Sequence, residues 1–259
     1  MMSQKIRAEI KEYLTREVTR YWDDAIAKAS EPDLFRPLHD GLAPIARKLW
    51  SLARPQSFYT RSGSWWEHVA RIIGSHYHAE SILKFPIEGP LSGAAEAHIG
   101  QIIEDMDRGQ PRRIPDRLTD IREVLTVQSN NGPTRAEISD LYILRHDGSE
   151  VFFELKTPEP NKAHSRDMKR RILMISALRK GCNSEVYAAC AYNPFNPTGE
   201  AALYERTITS QFLEVGADWI VSENFWSIIG EGTTYHEIQE ICDEVGILTN
   251  DKVLSALDL

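Results

Sequence analysis

Residues 138–143 and 151–157 are two runs of mainly β-branched and aromatic residues, and the polar stretch between them carries an Asp147-Gly148 turn signal. This pattern predicts two adjacent antiparallel strands. Side chains alternate between the two faces of a strand, so Glu154 and Lys156 project from the same side of the second strand. A carboxylate and an ammonium group are therefore expected side by side on a largely apolar sheet.

Asp140 supplies a second carboxylate in the first of these strands. Ionised carboxylates are costly in an apolar sheet unless they are paired or bind a cation. Two of them together with one lysine are the groups that a Mg²⁺ site for phosphodiester hydrolysis requires. Glu154 and Lys156 by themselves would also fit an ion pair on the exposed face of an edge strand.

The length of the connecting loop decides whether the two carboxylates meet. A regular two-residue loop would place Asp140 opposite Leu155, with its carboxylate on the wrong face. A three-residue loop, His146-Asp147-Gly148 with a left-handed Gly148, would instead place Asp140 opposite Glu154. We therefore predict an odd loop or a bulge between the two strands.

Asp140 followed by Glu154-Leu155-Lys156 resembles the motif of the PD-(D/E)xK nuclease superfamily. Three further segments look like blocks of the TdeIII-type family of type II restriction endonucleases, and they are residues 156–162, 192–197 and 225–235. The resemblance runs in order over residues 57–246. It implies a restriction-endonuclease-like α/β core, a mixed sheet with a three-strand antiparallel meander flanked by helices.

The resemblance also implies roles for individual residues. Asp140, Glu154 and the backbone carbonyl of Leu155 would coordinate Mg²⁺, for which Mn²⁺ could substitute, and Lys156 would orient the attacking water or neutralise developing charge. In nucleases of this kind a glutamate on the helix before the meander often joins the metal site. Glu67 is the candidate, with Glu80 as its rival, and a solvent-facing helix glutamate is the plain alternative.

Charge is distributed unevenly along the 259-residue chain, whose net charge is −8. Eight acidic residues against one lysine lie from Glu223 to the C-terminus, whereas eight basic against two acidic residues lie between Lys156 and Lys180. The basic segment predicts a track for the DNA phosphate backbone, although a solvated helix face is the usual meaning of such a run. The expected DNA-binding residues are Asn161, Lys162, Arg166, Lys169 and Arg170, with Asn161 able to read bases or to form a turn.

Apolar periodicity predicts helices over residues 3–29, 38–53, 63–82, 94–106, 162–179 and 223–229. Predicted strands cover 123–128, 137–144, 151–156, 184–192 and 219–221, and the first three of these would form the meander. We expect a single nuclease domain over residues 1–259. It would comprise a mainly helical region (1–110), an α/β catalytic core (111–230) and an acidic helical segment (231–259).

The sequence thus predicts a type II restriction endonuclease that cuts double-stranded DNA at a short palindrome, with the resemblance implying a GGNCC-like target. Cutting two strands with one site per chain implies a homodimer, and a cognate DNA methyltransferase is expected in the same system. No apolar run of transmembrane length and no signal-peptide pattern occurs, so a cytoplasmic location is expected. A structure-specific repair or junction-resolving nuclease and a non-catalytic DNA-binding protein remain alternatives.

Overall fold

The computed structural model of the protein describes residues 1–29, 55–108, 111–156, 158–195, 207–232 and 235–257. The chain divides into two compact units. The first comprises Met1–Val69 with His236–Leu259, and the second comprises Ala70–Tyr235. The helix predicted over residues 38–53 lies outside the described residues.

The described part of the first unit contains α1 (Gln4–Ala29), the first part of α2 (Pro55–Tyr77) and nearly all of α7 (Tyr235–Leu257). The amphipathic helix predicted over 3–29 is confirmed, with Ile10 and Leu14 buried on its apolar stripe. Helix α2 ends at Tyr77, so the helix predicted to continue to residue 82 is wrong over its last residues. None of the described helices is long and apolar enough to cross a membrane.

The second unit contains a five-stranded mixed sheet with the spatial order β1-β2-β3-β4-β5. The first three strands form an antiparallel meander, and β3, β4 and β5 run parallel to one another. This is the predicted restriction-endonuclease-like α/β arrangement. The strands are β1 (Glu80–Pro90), β2 (Thr134–Leu144), β3 (Glu150–Leu155), β4 (Ser184–Cys190) and β5 (Trp219–Val221).

Four further α-helices lie in the residues of this unit that the structure describes, and they are α3 (Gly93–Arg108), α4 (Arg117–Val127), α5 (Lys162–Leu178) and α6 (Ser222–Gly230). The helices predicted over 94–106, 162–179 and 223–229 are confirmed. Side-chain caps fix two of the starts: Asp116 accepts a hydrogen bond from the backbone N–H of Thr119 before α4, and Asn161 accepts one from His164 before α5. These caps satisfy N–H groups that have no partner within the helix.

The strand predicted over residues 123–128 is wrong, because residues 123–127 lie in α4 and Gln128 caps its C-terminal end. Its valines and threonine favour strands locally, but the Asp116 cap and burial of Val124 favour the helix. The first strand of the meander is instead β1, so the sheet begins at Glu80 and not after residue 110.

Strand β3 lies between β2 and β4, and five of its six residues are buried. Phe152 and Tyr142 belong to the apolar core that includes Ile172 of α5. Phe153 points to the other face, where its ring lies 5.6 Å from that of Phe225 in α6. A strand covered on both faces is apolar at nearly every position, and the charged residues of β3 accordingly stand near its two ends, at Glu150 and Glu154.

Lys169 of α5 is fully buried, and this corrects its predicted contact with DNA phosphates. Its Nζ lies 2.6 Å from Oδ2 of Asp218 and 2.7 Å from Oδ2 of Asp120, and both carboxylates are fully buried as well. Arg113 and Arg117 contact the same two aspartates from the partly exposed side. An ammonium group held in this way joins α5 to α4 and to the turn before β5, and it is not accessible to DNA.

We expect Lys169→Met to lower the free energy of unfolding by about 3–5 kcal/mol, because two buried carboxylates would lose a cationic partner. Urea unfolding of the variant and the wild type measures this difference. The matched control is Arg108→Met, which removes an exposed ion pair with Glu104 and should cost less than about 1 kcal/mol. Equal, small losses in the two variants would contradict the structural role of Lys169.

Candidate active site

The loop between β2 and β3 has the predicted odd length. Leu141 pairs with Phe153 and Leu144 with Glu150, and continuation of this register places Arg145 opposite Ser149 and Asp140 opposite Glu154. Gly148 has a φ of 82°, and Oδ1 of Asp147 accepts a hydrogen bond from the backbone N–H of Ser149 at 2.8 Å. The three-residue His146-Asp147-Gly148 loop with a left-handed glycine is therefore confirmed.

On the N-terminal side of Leu141, the hydrogen bonds from β2 to β3 are made by side chains of β2 and not by its backbone. The Ser139 hydroxyl accepts a hydrogen bond from the backbone N–H of Phe153 at 3.1 Å and lies 3.0 Å from the carbonyl oxygen of the same residue. The backbone N–H of Leu155 donates to Oδ2 of Asp140 at 2.9 Å. The two strands are thus bridged by side chains where the polar residues gather.

Glu154 is a buried carboxylate with cations on both sides. Only 3% of the residue is exposed, Lys156 contacts its Oε1, and Nη2 of Arg171 lies 2.9 Å from its Oε2. Burial raises the pKa of Glu154 above its ordinary value, and the nearby Asp140 carboxylate raises it further, while Lys156 and Arg171 act in the opposite direction. The site thus holds this charge at a cost in stability.

Asp140 uses its two oxygens differently. Oδ2 accepts the Leu155 N–H and lies 3.9 Å from Nζ of Lys156, whereas Oδ1 lies 2.6 Å from Nζ of Lys84 in β1. Lys156 therefore reaches both Asp140 and Glu154, and the structure brings the three side chains together around its ammonium group.

The structure adds residues that the sequence analysis did not assign to the site: Lys84, Glu137 and Arg171. Arg171 of α5 donates to the Ile138 carbonyl and lies between Glu154 and Glu137, with its Nε 3.8 Å from Oε2 of Glu137. Strict alternation from Asp140 would place Glu137 on the opposite face of β2, so its position reflects a change of alternation near Ser139. Arg171 belongs to the basic segment between Lys156 and Lys180 and could have been considered for the site, whereas no sequence pattern pointed to Lys84 or Glu137.

The remaining predicted DNA-binding residues lie between the N-cap and the middle of α5 and already have partners. Lys162 and Arg166 both pair with Asp107 of α3, and Arg170 pairs with Asp167. Asn161 uses its side-chain oxygen as the cap of α5. These contacts do not bury the three basic side chains, of which 41–52% is exposed.

The two glutamates considered as additional metal ligands lie in different places. Glu67 is on the part of α2 that belongs to the first unit, and its role stays a prediction. Glu80 pairs with Leu144, four residues along β2 from Asp140, which corresponds to about 13 Å of strand. Glu80 therefore begins β1 away from the paired carboxylates.

The donor set around Glu154 fits a hard divalent cation. Oε2 of Glu154 is buried and makes no hydrogen bond of regular geometry, although Nη2 of Arg171 lies 2.9 Å away, so it can accept a further partner. Among the described residues, no cluster of three or more Asp, Glu, His or Cys side chains forms a site that could hold a metal ion. Mg²⁺ tolerates such a small set, because it usually keeps several waters and uses one or two carboxylates.

The raised pKa of Glu154 predicts how stability depends on pH. The folded chain holds the proton at pH values where the unfolded chain has released it, so this group lowers stability as pH rises above the ordinary pKa of 4.5. Glu154→Gln removes the charge and keeps the shape. At pH 8 in EDTA we expect the variant to be more stable by about 1 kcal/mol, with the difference closing as the pH falls toward 4.5.

Urea unfolding at several pH values tests this expectation. The control is Glu96→Gln, at an exposed glutamate paired with Arg135, where no such pH-dependent difference should occur. If Glu154 were stabilised as the anion, Glu154→Gln would instead be less stable than the wild type at pH 8, and this deficit would shrink as the pH fell.

Comparisons with known proteins assign the chain to a family. The family model described as "Type II restriction endonuclease, HinfI" matches residues 2–246. A type II restriction enzyme of Herpetosiphon aurantiacus, HgiCII, is 33% identical over 91% of this chain and 86% of its own. HgiBI and HgiEI of the same organism are each 30% identical over 98% of this chain and 96% of theirs. The match is to the HinfI model, and the TdeIII-type resemblance stays a prediction. With nearly its whole length matched, the chain belongs to the HinfI family of type II restriction endonucleases.

Proposed function

We propose that this endonuclease hydrolyses phosphodiester bonds in both strands of a short palindromic DNA site, with Mg²⁺ as cofactor, and that Asp140, Glu154 and Lys156 form its active site. The observation that carries the proposal is the convergence of two carboxylates on one lysine at the end of a buried strand. The relatives named as type II restriction enzymes support the reaction class. The Asp-Glu-x-Lys arrangement supports membership of the PD-(D/E)xK superfamily.

Asp140, Glu154 and the Leu155 carbonyl are the groups that would hold Mg²⁺, for which Mn²⁺ could substitute. The ion would supply polarisation of the scissile phosphate and a lower pKa for the attacking water. Asp140 is already oriented by the Leu155 N–H, and Glu154 is fixed by burial in β3. The two carboxylates are thus preorganised, and the cationic side chains that now contact them are the groups that would move when the ion binds.

Lys156 is the residue placed to act on the reacting groups. Its side chain is 29% exposed, and its ammonium group touches Glu154 and lies near Asp140. In this position it can orient a water molecule or donate to a phosphate oxygen on which negative charge increases. A point charge with three donors suits both tasks.

DNA would be bound along the first half of α5. Lys162, Arg166 and Arg170 would contact phosphates after exchanging their present aspartate partners, and Asn161 could do so or read a base edge. Fully buried Lys169 is excluded from this set. Arg166 and Lys162 share Asp107, so an arriving phosphate competes with one carboxylate for two cations.

Several finer expectations belong to the same proposal. One active site per chain requires two copies to cut both strands, which favours a two-fold homodimer on a palindrome. A GGNCC-like target, a cognate DNA methyltransferase, a TdeIII-type subfamily and a cytoplasmic location follow only from the resemblance in sequence or from its composition.

Incubation with plasmid DNA and Mg²⁺, followed by sequencing of the fragment ends, would reveal the target. Cleavage of branched DNA alone would indicate a junction-resolving enzyme instead.

We expect Asp140→Ala, Glu154→Ala and Lys156→Ala each to lower the cleavage rate in Mg²⁺ by at least about 10²–10³-fold. Specific DNA binding should persist, because phosphate and base contacts come mainly from other residues. Single-turnover cleavage and an electrophoretic binding assay measure the two quantities. Arg135→Ala, which removes an exposed ion pair on the same strand as Asp140, should cut normally. A Glu154 variant that cuts at the wild-type rate would refute the site.

The contribution of α5 to DNA binding can be tested through salt dependence. Arg166→Gln should weaken binding to all sequences alike and reduce the slope of log K against log salt concentration by about 0.9. Arg108→Gln, which neutralises an exposed arginine on α3, is the control and should leave the slope unchanged. An unchanged slope in Arg166→Gln would mean that this part of α5 is a solvated face.

A further inference from the structure

Lys84 adopts a backbone conformation that is unusual for its residue type. Its φ is 53°, in the left-handed region, in the middle of an eleven-residue strand. Leu83 pairs with Leu141 and Phe85 with Ser139, so Lys84 stands opposite Asp140 without forming a ladder pair. A lysine in this conformation costs free energy that the surrounding structure must offset, and such outliers concentrate at functional sites.

The irregularity at Lys84 also changes which side chains of β1 face α5. Ile82, which pairs with Tyr142, is partly exposed, whereas Phe85 stacks on the Tyr142 ring with the centroids 3.9 Å apart. The apolar positions Phe85 and Ile87 thereby join the core under α5. The strand keeps its register through Lys84, and the ammonium group of Lys84 is brought to the carboxylate of Asp140.

Lys84 contacts the oxygen of Asp140 that makes no hydrogen bond to β3. Oδ2 is engaged by the Leu155 N–H, and Oδ1 lies 2.6 Å from Nζ of Lys84. The Lys84 side chain is 56% exposed, whereas that of Asp140 is only 14% exposed. A flexible cation at the rim therefore contacts a carboxylate oxygen that the proposed function assigns to metal binding.

We propose that Lys84 is a positioning residue that serves as the counter-ion of Asp140 in the metal-free protein and competes with the divalent cation for Oδ1. This inference rests on the proposed function, because it takes Asp140 as a metal ligand. The ammonium group offsets the repulsion between Asp140 and Glu154 before the ion is bound. The same charge opposes metal loading, both by occupying Oδ1 and by repelling a second cation.

The test is the affinity of the DNA-free, full-length chain for Mn²⁺, measured from the free ion by electron paramagnetic resonance. Lys84→Asn removes the charge, and asparagine tolerates a left-handed backbone. Its affinity for Mn²⁺ should be about threefold to tenfold higher than that of the wild type, the scale of a part-exposed ion pair acting on a doubly charged ion. Lys84→Gly should do the same, since glycine adopts positive φ readily.

Two controls separate local competition from general charge effects. Lys84→Arg keeps the positive charge and should bind Mn²⁺ about as the wild type does. Arg135→Asn also removes one positive charge, at a position of β2 away from Asp140, and should leave the affinity for Mn²⁺ unchanged. An equal gain in Lys84→Arg or Arg135→Asn would overturn the inference, as would unchanged or weaker binding in both Lys84→Asn and Lys84→Gly.

Asp140→Asn distinguishes failure of this inference from failure of the proposed function. Loss of Mn²⁺ binding in Asp140→Asn, with unchanged binding in both neutral Lys84 variants, would refute only the role of Lys84. Mn²⁺ binding that Asp140→Asn does not weaken would remove Asp140 from the metal site and overturn both proposals.

Discussion

The pairing register of β2 and β3 is the constraint on which the site depends. Because side chains alternate with a period of two, a shift by one residue would place Asp140 on the face opposite Glu154. The register is set by the His146-Asp147-Gly148 loop, where a left-handed glycine and the Asp147–Ser149 hydrogen bond stabilise three residues in place of two. A feature of local backbone chemistry thus determines which side chains meet.

Charge balance explains how the core tolerates this arrangement. Glu154 lies in a strand whose other residues are apolar and buried for the most part, and it is accompanied by Lys156 from just beyond the end of that strand and by Arg171 from α5. Helix α5 is itself fixed by the buried Lys169, held between Asp120 and Asp218. Helix α5 therefore contributes Lys169 to the interior and Arg171 to the site, and the basic residues of its first turns remain partly exposed.

Much of the second unit could be predicted from local sequence patterns. The two strands of the site, the helix after them and the strands β4 and β5 have strong periodic or apolar signals, and the loop length followed from the requirement that Asp140 meet Glu154. The first strand of the meander was misassigned. Residues 123–128 have the composition of a strand, but a side-chain cap and burial of Val124 make them helical.

The sequence by itself predicted that Asp140, Glu154 and Lys156 would lie together, because side-chain alternation along the strands and an odd loop length place all three on one face. Only the tertiary structure revealed Lys84 and Glu137, since their positions depend on a left-handed residue in β1 and a change of alternation in β2 that no local pattern signals. The tertiary structure also showed that Lys169, unlike the other basic residues of α5, is fully buried. A charge run shows how many cations a helix carries, but packing against α4 and β5 decides which of them faces water.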